Sequence, residues 1–118
     1  SDTFKQYELE LKAQEGGQIK VNIDTKETEV RAYTGGIIEV SGVTRHQNVK
    51  LNTGGIFKGE TLESQRTDVT IRAGGEANVF AVEELDIKIT AGGDVYIFNQ
   101  PEIVNKKRAL GGRIKRMN

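Results

Sequence analysis

Six Gly-Gly pairs punctuate this chain: Gly16-Gly17, Gly35-Gly36, Gly54-Gly55, Gly74-Gly75, Gly92-Gly93 and Gly111-Gly112. Successive pairs follow one another at nearly equal steps along the whole sequence, no step differing from the usual one by more than a single position. So steady a period restricts the fold to stacked repeats, each unit burying its apolar side only against its neighbours. Around the pairs, apolar residues alternate with polar ones. Leu9, Leu11 and Ala13 precede the first pair and Ile19, Val21 and Ile23 follow it; Val30 and Ala32 precede the second, Ile38 and Val40 follow it. Alternation with period two is the pattern of a strand buried on one side. Each repeat therefore reads as strand, Gly-Gly, strand, and a connection of variable length.

Gly-Gly between alternating strands is also a hairpin signal. A two-residue hairpin would put positions equidistant from the turn on the same side. Here the third and fifth residues before a pair are apolar, and the second and fourth after it. A three-residue loop with a bulge would restore that parity, so the choice rests on the polar positions. Three residues past the second glycine stand Lys20, Glu39, Lys58, Asn78, Tyr96 and Lys115. The alternating signs of the first three are favourable only if successive repeats are spatial neighbours in register. A basic column, Lys12, Arg31, Lys50, Thr70, Lys88 and Lys107, then runs beside an acid-and-amide column, Glu10, Glu29, Asn48, Asp68, Asp86 and Asn105.

In-register stacking predicts an all-β fold: a single-stranded parallel β-helix of about six coils of ~19 residues with Gly-Gly corners, one domain over residues 1–118. The crossover rule makes it right-handed. The corner glycines are expected to take positive φ and to let the backbones above and below approach closely. Ser1 to Gln6 match no repeat, which suggests the C-terminal part of a longer solenoid. At the other end, Lys106 and Arg108 occupy inward positions, with apolar character moved to Ala109 and Leu110. The last coil is expected to cap the stack, its charge blunting a sheet edge.

Seventeen basic against seventeen acidic residues give no net charge, which argues against a nucleic-acid partner. The absence of cysteine removes disulfides, thiol nucleophiles and thiolate zinc, and a single histidine removes two-histidine metal sites. No cofactor or metal is expected. No apolar run approaches the ~20 residues of a membrane-spanning helix. Asp68, Asp86 and Asp94 could pair as catalytic carboxylates or hold Ca²⁺; the blander reading is that they neutralise the lysine and arginine column. His46, in the connection Val43 to Asn48, reads as a solvated loop residue. The cluster Lys106, Lys107, Arg108, Arg113, Lys115 and Arg116 reads as a solvated, edge-blocking cap, with an anion-binding end as the alternative.

The run Gly92-Gly93-Asp94-Val95-Tyr96-Ile97-Phe98-Asn99-Gln100-Pro101-Glu102-Ile103-Val104, followed by Gly111-Gly112-Arg113-Ile114, closes the repeat array. Together with the recurring apolar-x-apolar-x-small-Gly-Gly-x-apolar-x-apolar unit, it resembles the bacterial family described as "putative auto-transporter adhesin, head GIN domain", over roughly residues 7 to 117. The resemblance implies a parallel β-helix exported to the bacterial cell envelope, in the periplasm or at the surface, with an adhesin role. It carries over no catalytic residue.

The expected function is therefore a non-enzymatic adhesin or binding module whose partner is a glycan or an envelope or host surface protein. Phe80, Tyr96 and Phe98, outward on neighbouring coils, are the candidate recognition patch, since stacked aromatics on a sheet face suit saccharide or protein contact. A structural scaffold or polymerising β-helix is the alternative, and a pectinase-like, polysaccharide-active enzyme is the third reading.

Overall fold

The computed structural model describes residues 3–117, and the side chains of residues 5–107 and 111–117. Every regular element is a β-strand: β1 Thr3–Gln14, β2 Gln18–Tyr33, β3 Ile37–Asn52, β4 Gly55–Arg72, β5 Gly75–Ala91, β6 Asp94–Ile97, β7 Ile103–Leu110 and β8 Arg113–Arg116. All pairings are parallel, in the order β1-β2-β3-β4-β5-β6-β8, with β7 also on β5. The chain is a β-solenoid of about six turns. Its inward columns are apolar and almost free of solvent: Val30, Val49, Val69 and Ile87 stack in register, as do Ala32, Leu51, Ile71 and Ile89. The polar columns stack as expected, Lys20 on Glu39 on Lys58 on Asn78 on Tyr96 on Lys115. Asn78 departs from its column by being buried, where its amide donates to the Phe57 carbonyl at 3.1 Å.

At the second and third Gly-Gly corners the two glycines divide two tasks between them. At the second corner Thr34 and Gly35 have φ of +50° and +76°, and the Gly36 amide donates to the Tyr33 carbonyl at 2.9 Å. That is the four-residue turn with two positive-φ centres that suits hairpins. The hairpin signal in the sequence is thus genuine as a turn, although the strands it joins pair with neighbouring coils. Gly36 has ordinary φ but no room: a Cβ there would lie 2.3 Å from the Ala13 carbonyl oxygen of the coil before.

Two expectations are corrected. The connections between faces are not loops, because β2 to β5 run through them without a break. β2, β3 and β4 turn where the inward phase slips by one position, between Thr25 and Thr28, between Thr44 and Gln47, and between Ser64 and Thr67; all six of these residues are buried. Their hydroxyls pair with each other, and Gln47 Nε2 donates to Thr67 at 3.4 Å. Thr25 donates to Thr44 at 2.9 Å, Thr28 lies 2.6 Å from Thr25 and 3.0 Å from Thr44, and Ser64 bonds Thr67. A buried hydroxyl so partnered avoids the cost of leaving water unpaired. Residues 3–6 also belong to the repeat, pairing in register with Asn22 to Thr25.

The irregular spacings have a local cause. Lys58 pairs with Asn78, one position beyond the usual step, whereas Asp68 pairs with Asp86, one position short of it. The register shifts lie between these pairs, at Lys58/Glu63 and Ser64/Arg66. Bulges absorb the added and missing residues, so both faces stay aligned. At the end of the stack Lys106 stands on Ile87 and is exposed, as expected for a cap, and Arg108 stands on Ile89. The side chains of Arg108, Ala109 and Leu110 lie outside those described.

Candidate binding faces

The strands that follow the glycine corners make one face. On it the structure brings the three aromatics together. Tyr96 in β6 stands on Asn78, and the Phe98 amide donates to the Val79 carbonyl at 2.9 Å, which seats Phe98 in the coil next to Phe80. All three side chains are half-buried, while the alternating Val79, Ala81 and Ile97 point into the core.

The segment after Phe98 is fixed by an amide acting as backbone. Asn99 Oδ1 accepts from the Ala81 amide at 3.0 Å, and Asn99 Nδ2 donates to the Ala81 carbonyl. One side chain thus supplies both ladder contacts that the next strand would have made. Pro101 is buried and the Glu102 amide donates to the Val82 carbonyl at 3.2 Å, so the chain leaves this face tied to β5.

The strands that precede the corners make the other face, which carries the charge columns. Here the expected neutralisation is corrected. Asp68 bonds His46, with Oδ2 to Nε2 at 2.7 Å, and Asp86 accepts from Asn105 Nδ2 at 2.6 Å. Neither makes an ion pair with a lysine or arginine among the described residues. Asp94 does, with Arg113 at 3.4 Å, and Glu29 pairs with Arg31 in its own coil.

His46 is likewise not a loop residue. It lies within β3, between Glu27 on one side and Arg66 on the other, and its Nδ1 is 3.8 Å from Glu27 Oε1. Asp68 is reached diagonally, one column across. The signal for this contact lay in the sequence, since His46 and Asp68 fall in neighbouring columns of adjacent coils once the register is known.

Among the described residues no three or more His, Asp or Glu side chains are placed to hold a metal ion. Nor is any helix among them long and apolar enough to cross a membrane. The longest described stretch without a strand is Phe98 to Glu102, so the described faces carry no loop-built cleft.

The sequence profile of the family described as "putative auto-transporter adhesin, head GIN domain" matches residues 1–101. The chain belongs to this family. The match starts before the expected residue 7 and ends at Pro101, so the last coil's β7 and β8 lie beyond it. No curated protein matches the chain. Among solved structures, a crystal structure described as a "putative adhesin" from Bacteroides fragilis NCTC 9343 superposes with a TM-score of 0.82 at 14% identity. The superposition covers 98% of this chain and 56% of the other, so this chain spans little more than half of that protein. At such identity the likeness shows the shared solenoid fold.

Proposed function

We propose that this head GIN domain chain is a non-enzymatic binding module of the bacterial envelope, exported to the periplasm or the surface, that contacts a glycan or a surface protein. The observation that carries this reading is the absence, among the described residues, of a loop-built cleft on continuous, in-register faces, where ligand must be met by a surface. The adhesin family membership supports it. The carboxylates that an enzyme reading would use are held by neighbours, Asp68 by His46 and Asp86 by Asn105. Phe80, Tyr96 and Phe98 form the proposed contact patch, offering ring surface on two adjacent coils beside the polar Lys115.

Truncating paired aromatic anchors typically costs a complex about 2 kcal/mol or more, about 30-fold in affinity. Phe98→Ala combined with Tyr96→Ala is therefore expected to weaken binding by at least that factor in a panel of envelope and host glycans and surface proteins, with the β-rich circular dichroism spectrum retained. Unchanged binding by a folded double variant would remove the patch.

A further inference from the structure

The face opposite the aromatics poses a question of charge. Lys50, Lys88 and Lys107 have no carboxylate within ion-pair distance among the described residues. The acids one column away, Asp68 and Asp86, are held by His46 and Asn105 instead. Within the basic column Thr70 stands in register between Lys50 and Lys88, and Arg72 lies two positions along the same strand side. A short hydroxyl between two ammonium groups leaves a depression. The structure has one there, about 370 Å³ in volume, lined by Tyr33, Lys50, Asn52, Thr70, Arg72 and Lys88. A second, about 270 Å³, shares Thr70 and Lys88 with it and is lined further by Asp68, Asp86, Asn105 and Lys107, so cations and carboxylates stand side by side there.

The geometry points to this strip as a binding site for a linear acidic polysaccharide lying along the solenoid axis. Successive cations in the column are one strand spacing apart, ~4.8 Å, and Lys50 and Lys88 are two spacings apart with Thr70 between them. An extended chain of uronate-type sugars meets such a column with a carboxylate at the Lys50, Arg72 and Lys88 triangle and another near Lys107. Its hydroxyls find acceptors and donors in the adjoining Asp86 and Asn105, and Tyr33 gives a ring beside the path. A DNA backbone, with a charge on every unit and no free hydroxyl, would meet Asp68 and Asp86 by repulsion alone, whereas a polyhydroxy acid offers them donors that offset it. This site is separate from the aromatic patch and stands whether or not that patch binds.

The test is affinity electrophoresis of the chain in gels containing polygalacturonate, neutral dextran or single-stranded DNA. The chain is expected to be retarded by polygalacturonate and not by dextran, with retardation falling as salt rises. Lys50→Gln with Lys88→Gln is expected to lose at least about tenfold in affinity. Thr70→Glu, which puts a carboxylate into the depression at a surface position, is expected to lose as much, and Lys20→Gln, which removes an exposed lysine of the other face, to bind this polymer like the parent. The proposal is overturned if the parent does not bind polygalacturonate, if folded lysine and Thr70 variants bind it undiminished, or if DNA is held as tightly.

Discussion

Gly55→Ala is expected to unfold the chain or cost it about 3 kcal/mol or more, whereas Gly54→Ala, at the adjacent position, is expected to cost only about 1 kcal/mol. The difference comes from what each glycine does. Gly54 has φ of +80° and nothing within 4 Å of the position its Cβ would take, so alanine there meets only the penalty of left-handed backbone. Thr53 beside it already bears that conformation at φ +53°. Gly55 has no such φ, but its Cβ would fall 1.9 Å from the Ala32 carbonyl oxygen and 3.0 Å from the Ala32 Cβ. Those atoms belong to the backbone and core of the preceding coil, so relief would separate two coils and their ladder. Thermal unfolding should place Gly54→Ala within a few degrees of the parent, with Gly55→Ala lower by about 10 °C or more. Equal effects, or the reverse order, would contradict the assignment of one glycine to conformation and the other to space.

Phe57→Ala is expected to cost about 3–5 kcal/mol, the usual range for emptying a buried aromatic site. Phe57 is fully buried between Ile38 and Ala77, its register partners in the coils on either side. A Cβ on Gly59 would lie 2.4 Å from the ring atoms Cε2 and Cζ, so the ring occupies the place where the next inward side chain would go. This explains why Phe57 is followed by no apolar partner at position 59, where other repeats continue the alternation. One side chain fills the volume of two positions, and its loss cannot be made good by small neighbours. Denaturant unfolding should show the loss as a lowered midpoint, and Val43→Ala, at a site 47% exposed, should move it by no more than about 0.5 kcal/mol equivalent. A cost for Phe57→Ala similar to that of Val43→Ala would mean that the third and fourth coils do not pack as described.

The fold could be read from the sequence because a stacked repeat writes its register into every column. Lys20 above Glu39 above Lys58 is a statement about space as soon as the period is known, and the same holds for the basic and acid-and-amide columns. The turns between faces were harder to see. Thr25 and Thr28, Thr44 and Gln47, Ser64 and Thr67 are polar, so they read as exposed connections. Their burial follows from pairing with one another within and across coils, which no single segment displays. The repeated pair of uncharged polar residues three apart, recurring with the period, was the available clue. The same limit hid the partners of Asp68 and Asp86. Sequence columns place them beside Lys50 and Lys88, but side-chain reach gives them to His46 and Asn105, and that choice leaves the lysines without acid partners among the described residues. Thr70 is the one non-basic member of its column in the sequence, but its place on the floor of a depression depends on the neighbouring Arg72 and Tyr33.

Whether these faces bind without chemistry is decided by incubating the purified chain with acidic and neutral polysaccharides, with and without Ca²⁺, and recording both retention and polymer length. Retention with the polymer's length unchanged is the result expected. New reducing ends or unsaturated sugars would contradict it and return the carboxylates of the charged face to a catalytic role.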